Sequence, residues 1–371
     1  MKIAMLGHKH LPSRAGGVEV VVQTLSTEMA ARGHEVTCYN RSGFGPRKRK
    51  YRGVRLVTVP ALGKGGLGAV SASFFAAFLA SFGSADVVHI HAEGPAFFSF
   101  LPKLTGKRVV VTIHGLDWQR QKWRGRFASR FIRWGEEHVV RFADVIIVLG
   151  QNQQRYFREQ YGWETVLIPN GIQPPTWTDG EEIYKLGLEK EEYVLFLGRL
   201  VPEKGIHTLL AAWKQVKTKK HLVIAGDSSG TDDYVRQLKT MAGERVLFPG
   251  FAEGRLLEDL YSHACVYVLP STLEGMPVGL LEAMSYGNCC LTSTIAECTE
   301  VVEDKAAAFQ KGDVADLTRA LQTLCDEPDT VAGYKATARE FICDKYDWNT
   351  VTNKTMELYH EDTVDQQIPV S

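Results

Sequence analysis

Two kinds of apolar pattern alternate along this chain. Short runs rich in Val, Ile and Leu have the length of buried strands, and longer segments with apolar residues at helical spacing lie between them. The strand candidates are 2–6, 34–39, 54–59, 86–91, 108–113, 144–148, 165–168, 193–197, 222–225, 245–248, 264–269 and 289–292. β-branched, largely apolar runs separated by helices predict parallel strands with helical crossovers, and hence doubly wound α/β domains.

The helical segments follow the strands in turn. They cover 18–31, 67–82, 127–142, 152–161, 206–216, 231–242, 256–263, 278–286 and 314–325. Segment 67–82 is the most apolar of them, but its uninterrupted apolar core is shorter than a membrane span. We therefore expect it to be a buried or interfacial helix.

A chain of 371 residues is too long for one ordinary core, so two domains are expected. The run 169–175, with three prolines and a glycine, closes the first series of strands, and an acidic, polar stretch follows it. The predicted division is a first domain over 1–172, a linker over 173–192, a second domain over 193–345 and a C-terminal segment over 346–371.

Charged side chains mark two strand ends in the second half. Arg199 and Lys204 share the loop that follows strand 193–197. Glu274 and Glu282 follow strand 264–269, one in the loop and one about two turns along the next helix. Ligands of open parallel sheets bind beyond the carboxyl ends of the strands, where helix N-termini favour anions. Arg199 and Lys204 are therefore predicted to form a diphosphate clamp; the alternative is that they are two surface cations beside Glu203. For Glu274 and Glu282 the alternative is an acidic helix start with solvated side chains.

The first half has its own strand-end features. The loop after the first strand is long and polar, and Gly16 and Gly17 at its end would let backbone amides approach a phosphate. This loop does not contain the dinucleotide motif G-x-G-x-x-G and is too long for it, and the chain has no P-loop, which argues against a nicotinamide or flavin cofactor. His89, His91 and His114 also lie at strand ends; a lone histidine is more often structural, but the position of His114 favours a functional role.

Composition adds a charge asymmetry. Residues 1–172 carry 24 Lys and Arg against 11 Asp and Glu, and the remainder carries 19 against 32. Segment 118–134 interleaves basic residues with Trp and Phe, which suits an anionic membrane surface and competes with a plain amphipathic helix that packs its aromatics inward. Nucleic acid is disfavoured by the neutral overall charge and the lack of a recognisable nucleic-acid module.

The seven cysteines form no C-x-x-C pair, and no close set of Cys, His and carboxylate has the spacing of metal ligands. The sequence therefore predicts no metal site, no disulfide framework and a cytosolic compartment. The N-terminal apolar run is too short for a signal peptide.

Taken in order, the motifs resemble those of the retaining glycosyltransferases of family 4, which have the GT-B fold. The resemblance covers essentially the whole chain, and it rests on Gly16-Gly17, His114-Gly115, Pro169-Asn-Gly-Ile172, Gly198-Arg199 with Lys204-Gly205, Ala225-Gly226, Pro249-Gly-Phe251, Glu274 and Glu282 with seven residues between them, and Tyr346-Asp-Trp348. It implies two Rossmann-like domains with an interdomain cleft and a C-terminal helix that crosses back to the N-terminal domain.

The resemblance also implies roles for matching positions. Arg199 and Lys204 would hold the diphosphate of a nucleotide-sugar donor, and Glu282 would bind the ribose hydroxyls. The donor sugar would lie against Glu274 and the backbone near Gly275, Met276 and Val278. The loop at Gly16 and Gly17 would cover the diphosphate, His114 would face the transferred sugar, and Phe251 would lie by the nucleobase. Enzymes of this fold generally need no metal and no separate cofactor.

The expected activity is retaining transfer of a sugar from a UDP-, GDP- or dTDP-sugar to a hydroxyl acceptor. A looser likeness to bacterial enzymes of surface-polysaccharide synthesis suggests a lipid-linked acceptor and a peripheral position at the inner face of the membrane. Two alternatives stay open: a sugar-nucleotide epimerase of the same fold, and a sugar-nucleotide-binding protein without catalysis.

Overall fold

A computed structural model describes residues 1–14, 16–63, 65–116, 118 and 126–360 of the chain, with only the backbone at 126–128. These residues form two compact units. Unit 1 contains the described residues of 1–171 together with 348–360, and unit 2 contains Ile172–Asp347.

Unit 1 is built on a sheet whose strand order is β3-β4-β2-β1-β5-β6-β7-β8. Its strands are β1 Lys2–Leu6, β2 Glu35–Arg41, β3 Lys50–Tyr51, β4 Val54–Val59, β5 Val87–His91, β6 Arg108–Ile113, β7 Val145–Val148 and β8 Val166–Leu167. Its helices are α1 Gly17–Ala31, α2 Gly65–Phe82, α3 Glu93–Ala96, α4 Phe100–Leu104, α5 Arg126–Phe142, α6 Gln151–Tyr161 and the C-terminal α15 Trp348–Glu357. All strand pairs are parallel except β3 with β4.

Both faces of this sheet are covered, which explains why its strands carry apolar residues on both faces. Along β1, Ile3 and Met5 belong to one core cluster, and Ala4 and Leu6 belong to the other, because successive side chains of a strand point to opposite faces. Helix α1 packs on the first face and α2 on the second. The predicted doubly wound arrangement is confirmed.

The C-terminal helix belongs to unit 1, as predicted. Trp348, Val351, Leu358 and Tyr359 join the same core cluster as the apolar residues of α1. Trp348 is 5% exposed, and a Cβ atom at Gly171 would lie 2.6 Å from its ring. Helix α15 and the two residues that follow it are therefore part of the core of the first unit, although more than 300 residues separate them from α1 in sequence.

We expect Trp348→Ala to destabilise unit 1 by about 3–5 kcal/mol, because it leaves a large cavity under α15. The change in the free energy of unfolding is measured by amide hydrogen exchange at increasing urea concentrations, because exchange reports the stability of each unit separately. Trp134→Ala is the matched control, since Trp134 lies in the same unit and is 48% exposed; it should cost about 0.5 kcal/mol or less. Equal effects of the two substitutions would contradict a core role for α15.

Helix α2 has two different sides. Small residues face the core, where Ala72, Ala76 and Ala80 are buried. The opposite side exposes large apolar side chains, and Phe78 is 44% and Phe82 69% exposed. Among the described residues, α2 is the one helix long and apolar enough to cross a membrane, by length and composition alone. One side of the helix is buried, as one of the two expectations required, and an interfacial role for the other side stays a prediction.

Unit 2 has a parallel sheet of order β11-β10-β9-β12-β13-β14. Its strands are β9 Tyr193–Leu197, β10 His221–Ala225, β11 Val246–Gly250, β12 Val266–Leu269, β13 Cys289–Ser293 and β14 Ala307–Phe309. Its helices are α7 Glu181–Lys185, α8 Ile206–Trp213, α9 Asp232–Met241, α10 Gly254–Ser262, α11 Val278–Ser285, α12 Ala296–Val302, α13 Val314–Asp326 and α14 Pro328–Lys345.

The segment 173–192, expected to be a linker, folds as part of unit 2. Helix α7 lies within it, and Ile183 and Leu188 are fully buried. The amide of Glu182 donates to the carboxylate of the buried Asp259 on α10 at 2.6 Å. Most side chains of this segment are polar or acidic and only a few are buried, so its composition indicates a solvated connection although Ile183 and Leu188 belong to the core.

Candidate active site

The carboxyl ends of β9 and β12 meet at the point where the strand order of unit 2 reverses. The chain runs outward from β9 to β10 and β11, then returns to place β12 on the other side of β9. Crevices at such switch points are the usual ligand sites of open α/β sheets. The loops after these two strands, 198–205 and 270–277, contain five of the eight predicted site residues of unit 2.

Loop 198–205 is shaped by a short 3-10 turn and a glycine. Pro202–Lys204 form the turn, and Gly205 has a φ of +67° at the start of α8. A Cβ atom at Gly205 would lie 2.0 Å from the carbonyl oxygen of Pro270. Glycine is therefore required here both by its backbone conformation and by the close approach of the neighbouring loop.

The two loops are held to each other by hydrogen bonds. The backbone amide of Thr272 donates to the carbonyl of Glu203 at 2.8 Å, and its hydroxyl donates to the same oxygen at 3.2 Å. Behind them, the hydroxyl of Ser293 donates to the carbonyl of Ser271 at 2.5 Å. Lys204 and Glu274 are thus carried by segments that are fastened together at their backbones.

Lys204 and Glu274 form a direct, largely buried ion pair. Nζ of Lys204 lies 2.6 Å from Oε1 of Glu274, and the side chains are 15% and 9% exposed. The hydroxyl of Ser271 donates to the same Oε1 at 2.6 Å. A carboxylate that accepts two short hydrogen bonds at one oxygen is stabilised in its charged form, and its negative charge is partly neutralised.

Helix α11 begins directly after this pair. Pro277, with φ −80° and ψ 81°, is the centre of an inverse γ-turn in which the amide of Val278 donates to the carbonyl of Met276 at 3.0 Å. The Val278 amide is thus engaged within the turn, and its contact with a donor sugar stays a prediction. Gly275 and Met276 are buried in the turn beside Glu274.

Glu282 lies one turn into α11 and is positioned by Tyr261 of α10. The Tyr261 hydroxyl is 3.3 Å from Oε2 of Glu282, and its ring stacks on Tyr286 at 5.4 Å between centroids. Gly279 lets the helix approach the sheet closely, since a Cβ atom there would lie 2.8 Å from the hydroxyl of Tyr267. The carboxylate is therefore held on a rigid element, as a hydroxyl-binding group requires.

The remaining predicted residues of unit 2 lie at the same edge of the sheet. Arg199 is half-buried in the loop after β9. Phe251 follows β11 directly and is 46% exposed, after Gly250 with a φ of +85°. The structure thus brings Lys204 and Glu274 into contact and places Arg199, Glu282 and Phe251 around the carboxyl ends of the strands.

In unit 1, the strand order reverses between β1 and β5, and His114 follows the neighbouring β6. Nε2 of His114 is 3.0 Å from Nδ1 of His91, the last residue of β5. Gly7, at the end of β1, has a φ of +109°, and a Cβ atom there would lie 2.0 Å from the carbonyl oxygen of His91. The three strand ends are therefore packed tightly against each other.

Gly16 and Gly17 lie where the long loop after β1 enters α1. Gly16 is the N-cap residue and Gly17 the first residue of the helix. The buried Glu19 of α1 accepts a hydrogen bond from the backbone amide of Lys9 at 3.1 Å, and a Cβ atom at Gly16 would lie 2.5 Å from its Oε2. The loop is thus tied back to the first turn of the helix.

Asn40, on β2, organises the same loop, and the sequence pattern does not point to it. Its amide group accepts from the amide of Leu11 at 3.0 Å and donates to the carbonyl of Leu11 at 2.9 Å. Its Oδ1 is also 3.0 Å from Nε2 of His8. Burial lowers the pKa of His8 to about 4, so this histidine is neutral at pH 7.

Part of the basic aromatic segment, 119–125, lies outside the described residues. In the described part, the guanidinium of Arg133 lies 4.8 Å from the ring centre of Trp118, and Trp134 is 48% exposed. Phe131 instead packs against Phe97 at 4.9 Å. The aromatics therefore divide between the surface and the interior.

The described residues contain no group of three His, Cys, Asp or Glu side chains arranged to hold a metal ion.

Comparisons with known proteins agree in both halves of the chain. Residues 15–174 match the family model "Glycosyltransferase Family 4", and residues 179–341 match "Glycosyl transferases group 1". A glycogen synthase of Mycobacterium tuberculosis is 28% identical over 97% of this chain and 94% of its own length.

Two solved structures share the architecture. HepE of Anabaena in complex with UDP-glucose has a TM-score of 0.80 at 20% identity, over 96% of this chain and 98% of its own. WaaG, a glycosyltransferase involved in lipopolysaccharide biosynthesis, has a TM-score of 0.75 at 18% identity, over 97% and 100%. At these identities the likeness to the structures concerns the fold.

Proposed function

The chain belongs to glycosyltransferase family 4 and is a glycosyltransferase with the GT-B fold, and on this premise we propose that it transfers a sugar, with retention, from a nucleotide-diphosphate donor to a hydroxyl of a lipid-linked glycan. The donor would bind at the carboxyl edge of the sheet in unit 2. No metal and no separate cofactor take part in this proposal.

The observation that carries the proposal is the Lys204–Glu274 pair at the switch point of unit 2. A nucleoside diphosphate leaves readily only where positive charge meets the negative charge that develops on it. Lys204 supplies such a charge on a fastened loop, and Arg199 in the same loop can add a forked pair of donors. The N-terminus of α11 adds its dipole at the same place.

The two glutamates then serve as positioning groups. Glu274 accepts from Lys204 and Ser271 at Oε1, and its carboxylate would also accept from hydroxyls of the sugar. Glu282, aligned by Tyr261, would accept from the ribose hydroxyls. Phe251 offers an exposed ring near which a base could stack. In unit 1, His114 and the Gly16-Gly17 loop would serve the transferred sugar and the diphosphate.

Retention follows without a protein nucleophile. The bond from the anomeric carbon to the phosphate oxygen breaks, and the carbon gains oxocarbenium character. The acceptor oxygen attacks from the face the diphosphate leaves, and its proton passes to the departing phosphate oxygen. Glu274 is a poor candidate for a covalent nucleophile because one of its oxygens already accepts two short hydrogen bonds.

A thermal-shift screen with UDP-, GDP- and dTDP-sugars is the first test, since a bound donor raises the melting temperature with its concentration. A radiolabelled form of the stabilising donor is then supplied with and without a lipid-linked glycan acceptor. Labelled product only with the acceptor is expected. Epimerised donor without any acceptor would identify an epimerase, and binding without turnover would identify a non-catalytic protein; either result overturns the proposal.

A lipid-linked acceptor requires the enzyme to reach a membrane, and we propose that unit 1 does so. Residues 1–172 have 13 more cationic than anionic side chains. The exposed side of α2 presents Phe74, Phe78 and Phe82 in adjacent turns, with centroids 6.1 and 4.9 Å apart. Aromatic side chains of this kind enter the interfacial region of a bilayer while cations attract anionic lipids.

We expect binding to vesicles that contain phosphatidylglycerol, less binding to vesicles of phosphatidylcholine alone, and weaker binding as salt is raised. Replacing Phe78 and Phe82 together by Ser should weaken vesicle binding, measured by cosedimentation, by about a hundredfold or more, because each ring contributes about 1.5–3 kcal/mol when fully buried and each 1.4 kcal/mol is a factor of ten in affinity. Tyr184→Ser is the matched control, since Tyr184 is 46% exposed on unit 2. Salt-independent absence of binding would exclude the membrane proposal.

A further inference from the structure

A line of aromatic side chains connects the C-terminal helix region of unit 1 with His114. The hydroxyl of Tyr359 lies 2.7 Å from Nδ1 of His89, and the other ring nitrogen of His89 lies 2.7 Å from the hydroxyl of Thr112. The rings of His89 and His91 stack, with centroids 4.2 Å apart. Nδ1 of His91 then lies 3.0 Å from Nε2 of His114. Tyr359 thus orients His89, the His89 ring packs on His91, and His91 is hydrogen-bonded to His114.

Burial decides which of the two nitrogens is the donor in the hydrogen bond between His91 and His114. One proton is shared between the two nitrogens, and it belongs either to Nδ1 of His91 or to Nε2 of His114. In the second case a neutral His91 carries its own proton on Nε2. That nitrogen is buried and has no hydrogen-bond partner among the described residues. A buried N–H without an acceptor costs about 1–3 kcal/mol, and orphaned donors are rarer than orphaned acceptors.

The charged form of His91 is excluded by the same surroundings. His91 is fully buried, and burial, with His89, His114 and His8 nearby, lowers its pKa well below the ordinary value. His91 is consequently neutral, with its proton on Nδ1. His114, as the acceptor at Nε2, then carries its proton on Nδ1 when it is neutral.

We propose that His91 is a positioning residue for the glycosyl transfer: its Nδ1–H fixes the ring orientation and the Nδ1–H tautomer of His114. The consequence for catalysis rests on the proposed function, in which His114 faces the transferred sugar; the tautomer itself does not. The backbone of His91 cannot move to relax this contact, because Gly7 lies against its carbonyl group. A tautomer set in this way gives the sugar one defined donor atom on His114 in every molecule.

Two substitutions of His91 separate positioning from packing. His91→Phe keeps an aromatic ring against His89 but removes the Nδ1–H. His91→Asn keeps an N–H near the position of Nδ1 and loses ring area. Nitrogen-15 NMR of histidine-labelled full-length protein reports the tautomer of His114, whose signal is assigned by its loss in His114→Gln. Steady-state turnover of UDP-glucose, or of whichever screened donor binds, reports kcat and KM.

The expected result is the Nδ1–H tautomer of His114 in the wild type and in His91→Asn, and a shift toward Nε2–H in His91→Phe. The kcat of His91→Phe should fall by about tenfold to a hundredfold, because His114 loses its fixed orientation. The KM for the donor should stay within about threefold of the wild-type value. The kcat of His91→Asn should be close to that of the wild type. A wild-type His114 with its proton on Nε2, or a tautomer unchanged in His91→Phe, overturns the proposal. If the wild type turns over no donor, the proposed function fails while the NMR result still decides the role of His91.

Discussion

Lys204→Ala is expected to lower kcat/KM for transfer from the nucleotide sugar by about 10²–10³, the range found when one preorganised charge-stabilising group is removed. The loss should appear in kcat, because the charge of the diphosphate grows as the bond to the anomeric carbon breaks. Donor affinity should fall as well, but by less. Initial rates over a range of donor concentrations, with acceptor saturating, separate the two parameters.

Lys239→Ala is the matched control for this substitution, since Lys239 is exposed on α9 of the same unit. It should leave both parameters unchanged. Melting temperatures of the two variants in the absence of donor show whether loss of the Lys204–Glu274 pair has disturbed the loops. If Lys204→Ala binds and turns over donor as the wild type does, the assignment of the diphosphate site is wrong.

The fold could be predicted from the sequence where strands are buried on both faces. Strands β6 and β9 begin and end at the residues predicted from the pattern, 108–113 and 193–197. In such strands apolar side chains point to both faces, so the apolar run ends close to where the strand ends. Two parallel sheets in one chain follow directly from this pattern.

Elements with little buried surface escaped prediction. Strand β3, Lys50–Tyr51, lies at the sheet edge within a basic run and pairs antiparallel with β4 across a turn at Arg52 and Gly53. Helix α14 buries only Val331, Ala338 and Ile342 over 18 residues, so its apolar stripe is too sparse to recognise. Each of these elements depends on contacts with neighbours that the local pattern does not contain.

The site divides along the same line. The spacing of Glu274 and Glu282 and the loop with Lys204 could be found because the residues lie at predictable strand ends. The contact of Ser271 with Glu274 could also be expected from the sequence, since both residues lie in the same loop. Tyr261 was not, because it contacts Glu282 from a different helix. Residues that orient a functional group from another element are brought to it by tertiary packing, and their spacing in the sequence does not predict the contact.

Whether Glu274 acts by positioning or as a nucleophile is decided by Glu274→Gln. Glutamine has the same shape and can still accept from Lys204 and Ser271, but it lacks the charge. We expect kcat/KM to fall by about 10²-fold or less, the effect of losing one hydrogen bond to a charged group worth about 1.5–3 kcal/mol. The product should keep the anomeric configuration of the donor, measured by proton NMR of the new linkage. Glu244→Gln, an exposed glutamate of the same unit, is the control.

A nucleophilic role predicts a different magnitude. Removing a covalent nucleophile costs about 10⁴–10⁶ in kcat, because the reaction loses its two-step path and not only an orienting contact. A fall of this size in Glu274→Gln, in protein that still binds the donor, would reject the proposed front-face transfer. A moderate fall with retained configuration leaves the acceptor oxygen and the departing phosphate as the reacting partners. Lys204 would then act on the phosphate while Glu274 holds the sugar, and the ion pair between them would keep both groups in register before the donor binds.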